Sequence, residues 1–141
     1  MITQKARYAL HVMLHLARRE GASTANAIAE AERIPRKYLE HVMSSLKSKG
    51  LVTGKRGPSG GYVLARAADR ISVADVLRAV DGPLALAPCA SLTAYAPCPD
   101  CQSVETCKIR PILLAVRDTT SLLLEGTSLA AALGGTRLAF F

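Results

Sequence analysis

A mainly α-helical fold with one small β-hairpin wing, arranged as a winged helix-turn-helix plus a long C-terminal dimerisation helix, is the class this 141-residue sequence predicts. Three observations point there. Apolar residues recur at helical spacing in three successive segments before Gly50. Directly after them, two short β-type runs flank a glycine-rich tip that carries two cations. The charge is also lopsided: residues 1–70 hold 13 Lys and Arg against 5 Asp and Glu, whereas residues 71–141 hold 5 against 6, so the whole excess behind the net +7 lies in the first half. A basic half beside a neutral one suits a polyanion, and phosphate neutralisation with counterion release makes nucleic acid the natural candidate.

The first helix is expected over residues 3–20. Ala6, Ala9, Leu10, Met13 and Ala17 make one apolar stripe and Tyr8, Val12 and Leu16 a second, so the helix is packed on two sides. Gly21 ends it. Ser23 or Thr24 can cap a short second helix through residue 32, with Ile28 and Ala29 facing inward. Pro35 suits the first turn of a third helix, and Gly50 supplies its left-handed stop. In that third helix Leu39, Val42, Met43 and Leu46 form the buried stripe. Arg36, Lys37, Glu40, His41, Ser44 and Lys47 are left on the opposite face, a mixture of donors, an acceptor and cations able to meet base edges and phosphates in a major groove. A short helix followed by this one reads as a helix-turn-helix.

The run "LVTGKRGPSGGYVLA" then forms the hairpin wing, with Tyr62 and Leu64 anchoring it to the core and Arg56 placed for a narrow, electronegative minor groove. Base or groove contact is assigned to Lys37, Glu40, His41 and Arg56, and phosphate positioning to Lys5, Arg36, Lys47, Lys55 and Ser59. Ser72, with Asp75 three residues on, opens a fourth helix whose Val73, Val76, Leu77 and Val80 complete the core of a DNA-binding domain spanning residues 1–81.

Residues 82–108 form a proline-rich loop that holds all four cysteines, Cys89, Cys98, Cys101 and Cys107. Thiols clustered in this way share a ligand, a bond or a reaction. After the loop, residues 109–133 read as a dimerisation helix and a short C-terminal helix. Ile109, Ile112, Leu113, Val116, Leu123 and Leu124 make an apolar seam broken by Thr119 and Thr120 and closed by Gly126. On a domain already supplied with a core, such a seam pairs with its own copy, and two recognition helices about a twofold axis can enter successive major grooves about 34 Å apart on a palindromic site. Residues 134–141 show no pattern and are expected to be a tail.

The segments "KARYALHVMLHLA", "YLEHVMSSLKSKGLV", "RGPSGGYVLA" and "ISVADVLRAVDG", followed by the cysteine cluster, resemble the Rrf family of bacterial transcription regulators over nearly the whole chain to about residue 133. The resemblance implies a homodimeric winged helix in which a long C-terminal helix pairs two subunits, with the cysteines in the loop just before it. Several members bind an iron-sulfur cluster there and others bind none, so the cofactor implied is a 2Fe-2S or 4Fe-4S cluster, or nothing. Cys101 and Cys107 match the last two cysteines of the cluster-binding members and Cys89 the first, which leaves Cys98 or Cys101 additional. Arg110 stands where one branch has a histidine ligand, and Arg7 where another takes a carboxylate from the partner subunit. His11 stands where one relative uses a first-helix histidine across the dimer. With four thiols present, Cys98 can itself be the fourth ligand.

Alternative chemistries stay open. Four thiolates suit structural zinc, although only Cys98 and Cys101 form the close pair typical of such sites. The Cys98-Pro99-Asp100-Cys101 stretch has the form of a thiol-disulfide motif, which a metal-free sensing repressor of thiol, disulfide or persulfide state would use. A winged helix that serves only as a protein-interaction module, with a structural zinc site, is the rival of another class. An enzyme is not expected, since the chain offers three histidines and no paired acids. No secretory signal is visible, and Pro83, Pro88, Pro97 and Pro99 interrupt the longest uncharged run, so a cytoplasmic protein without a membrane partner is expected.

Overall fold

The computed structural model describes residues 2–135. Helix α1, Gln4–Arg18, begins where the Thr3 hydroxyl accepts from the Ala6 N–H at 3.0 Å. It ends two residues earlier than expected, because Arg19 is already extended. Ala6, Ala9, Val12, Met13 and Leu16 are all buried, so both stripes read from the sequence face protein. Helix α2, Ala25–Glu32, is capped by Thr24 and closed by Arg33 in the left-handed conformation at φ 54°. That residue makes the turn of the helix-turn-helix without a glycine. Pro35 is the residue ahead of helix α3, Arg36–Ser48, and not a member of its first turn. Leu39, Val42, Met43 and Leu46 are buried as the spacing requires.

Strands β1, Val52–Lys55, and β2, Gly61–Leu64, pair antiparallel with Val52 opposite Leu64 and Lys55 opposite Gly61. Tyr62 and Leu64 pack against the core, as expected of wing anchors. A further rung ties the wing to the body: the Ser23 N–H donates to the Tyr62 carbonyl at 3.0 Å, and the Tyr62 N–H donates to the Ser23 carbonyl at 2.7 Å. Gly61 is required at this seam, since its φ is +138° and an added Cβ would lie 2.4 Å from the Ser23 carbonyl oxygen.

A 3-10 turn at Ala68–Arg70 leads to helix α4, Val73–Asp81, opened by the reciprocal Ser72 and Asp75 capping box. Helix α4 packs on α1 and α3 and completes the core around Met13, Ile28, Leu39, Leu46, Ile71 and Val76. After the cysteine loop and its 3-10 turn at Pro88–Ala90 comes helix α5, Arg110–Glu125, and then helix α6, Leu129–Leu133. Helix α6 returns to the DNA-binding half. Leu129 is fully buried in the main core, its N–H donates to the Ile71 carbonyl at 2.9 Å, and the Val73 N–H donates to the Thr127 carbonyl at 2.9 Å. Burying a leucine side chain contributes about 1.5–3 kcal/mol, so α6 fastens the end of α5 to the winged helix. Of the expected tail, residues 136–141 lie outside the described residues. Among the described residues no helix is long and apolar enough to cross a membrane.

Candidate nucleic-acid interface and thiol site

The amphipathic phase of α3 turns Arg36, Lys37, Glu40, His41 and Lys47 to solvent on one side of the molecule. Arg36 and Glu40 are one helical turn apart and approach to 3.5 Å. Together with Met43, Ser44, Lys47 and Tyr62 they line a groove of about 400 Å³ between the helix and the base of the wing. The wing continues this surface: Lys55, Arg56 and Ser59 are exposed at its tip, where the hairpin leaves no apolar group to cover. Lys5 differs from the other cations. It is half-buried on α1 and donates to the Ser45 hydroxyl of α3 at 2.7 Å, so its ammonium steadies the recognition helix. Tyr38, which the sequence reading passed over, lies 54% exposed on the same helix and meets Tyr8 edge to face at 5.8 Å. Its exposure follows from the helical phase set by Leu39 and Val42, and that phase was the signal available.

The four cysteines are free and line one cavity of about 370 Å³ with Ser103, Arg110 and Leu113. Cys89 is buried on the 3-10 turn, and the other three are half-buried. The backbone N–H of Cys101 donates to the Cys98 carbonyl at 3.0 Å, which closes the tight turn between them. The Cys98 thiol is pushed above its ordinary value, first by a hydrogen bond with the Cys89 side chain and then by burial and the nearby thiols. Glu105 is held below the usual carboxylate range by its own backbone N–H, the Ser103 hydroxyl at 2.9 Å and the field of Arg110. Among the described residues no three His, Cys, Asp or Glu side chains stand ready-grouped around a metal position.

Two arginines of α5 hold this loop. Arg110 donates from Nε and Nη2 to the Cys89 carbonyl at 3.4 and 3.3 Å, and Arg117 donates from Nη1 to the Ala90 carbonyl at 2.9 Å. Both were invisible as a clamp in the sequence, because 21 and 27 positions separate each donor from its acceptor. His11 is absent from the lining of the thiol cavity and lies instead 3.5 Å from Glu32 on α2, while Arg7 donates to Gln4.

No residue of α5 is fully buried within the chain. Ile109, just ahead of it, and Ile112, Val116 and Leu122 along it are exposed, whereas Leu113, Leu123 and Leu124 are half-buried. The exposed apolar face differs from the expected seam: Leu122, absent from the expected set, stands out at 69% exposure in place of Leu123 and Leu124.

A helix-turn-helix with a cationic wing, joined through a thiol-lined loop to an uncovered apolar helix, defines a DNA-binding transcription regulator. Residues 2–134 match the Rrf2 family, described as an iron-dependent transcriptional regulator, and the chain belongs to that family. An Rrf2-like HTH-type transcriptional regulator of Rhodobacter capsulatus is 40% identical over 92% of this chain and 89% of its own length. The HTH-type transcriptional regulator CymR of Bacillus subtilis is 32% identical over 91% of this chain and 86% of its own. The solved structure of CymR, the global cysteine regulator of B. subtilis, superposes with a TM-score of 0.77 at 29% identity over 97% of this chain and 98% of that one. The T. potens IscR structure gives a TM-score of 0.74 at 26% identity over all of this chain and 91% of that one.

Proposed function

We propose that this regulator acts as a homodimer on palindromic double-stranded DNA, by binding and not by turnover, and that its four-cysteine loop switches DNA affinity through an iron-sulfur cluster. One observation carries the reading: all four thiols line a single cavity whose wall is formed by the start of α5. Soft thiolates are the donors that such clusters take, and although no three of them stand ready-grouped, Cys89, Cys98, Cys101 and Cys107 lie on a loop free of strand or long helix that can close around a cluster. When bound, the cluster would be held by these thiols and would supply a redox-active centre next to the start of α5. The family's description as iron-dependent supports this choice over zinc.

The coupling to DNA runs through this chain's own residues. Arg110 and Arg117 tie the carbonyls of Cys89 and Ala90 to α5, so a change in the loop bears on the helix that offers Ile112 and Leu122 to a second copy. Helix α6 ties the far end of α5 to the winged helix. A ligand state that favours one pairing of the two α5 helices changes DNA affinity by the free-energy difference between the pairings. On the DNA side, Lys37, Glu40, His41 and Arg56 contact bases or grooves, and Arg36, Lys47, Lys55 and Ser59 position phosphates.

A second reading rests on the contact between the Cys98 and Cys89 side chains, which suits a metal-free thiol switch. Anaerobic purification with iron, sulfide and zinc analysis and a visible absorption spectrum separates the two. The cluster reading expects iron and acid-labile sulfide in near-equal amounts, lost on Cys→Ser substitution. A colourless, metal-free protein whose DNA affinity still changes with peroxide would replace it with the thiol switch.

A further inference from the structure

A polar cluster joins α1 to α2, with Glu32, His15 and Ser23 largely buried, and none of its members lines the thiol cavity or belongs to the surface described above. Glu32, the last residue of α2, is only 12% exposed at its side chain and takes three nitrogen neighbours: Arg18 Nη2 at 2.7 Å, His15 Nδ1 at 3.0 Å and His11 Nδ1 at 3.5 Å. The ring of His15 is almost fully buried, and its other nitrogen, Nε2, lies 3.3 Å from the hydroxyl of buried Ser23. Ser23 is in turn the residue whose backbone exchanges both hydrogen bonds with Tyr62 at the base of the wing. Gly61 presses so closely on the same residue that no side chain fits between them. The chain of contacts is therefore unbroken from the helix-turn-helix turn, where Glu32 precedes left-handed Arg33, through the His15 ring, to the hinge of the hairpin.

We infer that His15 and Glu32 are positioning residues for DNA binding, setting where the wing stands relative to the recognition helix. Two physical points carry this. Buried ionic groups cost desolvation that apolar groups of the same volume do not, so a polar cluster here is a poor device for stability and a good one for orientation, because hydrogen bonds are directional. The cluster also joins the two places that decide spacing: α3 starts four residues after Glu32, and β2 starts at the glycine clamped on Ser23. A displacement of Ser23 moves the base of the wing and carries exposed Arg56 with it. The inference rests on the DNA-binding reading above.

The test uses the full chain and a duplex selected from a random pool by the wild-type protein. Affinity is measured across a salt series for the wild type, Arg56→Ala, His15→Leu, His15→Gln and the His15→Leu/Arg56→Ala double variant, with folding of each checked by cooperative urea unfolding. Loss of one cation from the duplex surface, in a groove or at a phosphate, lowers the salt slope by about one unit. Arg56→Ala and His15→Leu are each expected to show that loss, the double variant no more than either alone, and His15→Gln, which keeps a polar atom toward Ser23, is expected to recover at least half of it. A folded His15→Leu protein with the wild-type slope, or a double variant whose losses simply add, overturns the inference. If His15→Leu does not fold, Glu32→Gln takes its place in the same comparison. A flat salt dependence in the wild type itself would overturn the DNA-binding reading and not the positioning alone.

Discussion

Gly61→Ala is the substitution that most directly probes the seam between wing and body. An alanine at φ +138° is strained by about 1–3 kcal/mol whatever surrounds it. Its Cβ would stand 2.4 Å from the Ser23 carbonyl oxygen, with the Thr24 nitrogen at 2.8 Å, so the strand must back away from the linker before ordinary contact is reached. Backing away breaks the reciprocal Ser23 and Tyr62 bonds of 3.0 and 2.7 Å, worth about 1 kcal/mol each. The combined loss is about 3–5 kcal/mol. At a urea dependence of about 2 kcal/mol per molar, the unfolding midpoint falls by about 2 M. Gly54→Ala in the facing strand is the control, because nothing lies within 4 Å of its would-be Cβ, and it should stay within about 0.5 kcal/mol of the wild type. Urea titrations of the three proteins at one protein concentration give the comparison, since the midpoint of any protein that self-associates moves with concentration. Equal midpoints for Gly61→Ala and Gly54→Ala would refute the account of the seam.

The thiol site makes a pH prediction whose sign is set by the upward shift of Cys98: its thiolate, and hence its alkylation by iodoacetamide, should appear at higher pH than in an unstructured cysteine peptide. Cys89→Ala removes the largest cause of that shift, so the alkylation profile of Cys98, followed by peptide mass spectrometry, should move to lower pH. For the uncovered face of α5, the Ile112→Asp/Leu122→Asp variant should sediment as a monomer with wild-type helicity, because both side chains are more than 60% exposed within one chain and a carboxylate is costly only where a partner buries it. A dimer undiminished by this pair of charges would show that the two copies meet elsewhere.

Much of this protein was legible in the order of its residues. The four core positions of α3, the Ser72 and Asp75 cap, the two anchors of the wing and the cationic surface all follow from local spacing, because a helix or hairpin decides by periodicity which side chains turn inward. The loop that gathers the thiols was legible for the same reason: its cysteines are close in sequence and have little room to part. What remained hidden involved partners far apart along the chain. Arg110 and Arg117 gripping the carbonyls of Cys89 and Ala90, Lys5 turning to Ser45, and Leu129 plugging the core all depend on which surfaces meet after folding. The exposure of Leu122 on α5 in place of Leu123 and Leu124 has the same origin, since the docking of α5 against α4 and the loop selects which of several apolar residues stay uncovered.

The sequence by itself determined the elements, their inward faces and the chemical character of the two exposed sites, since those are consequences of side-chain type and of the short-range geometry of the backbone. Only the tertiary structure decided that Glu32, His15, Ser23 and Tyr62 form one continuous path from the turn to the wing. Their contacts are directional and span up to 39 positions between Ser23 and Tyr62, and no periodicity of a linear chain encodes a bond between groups that only packing brings together.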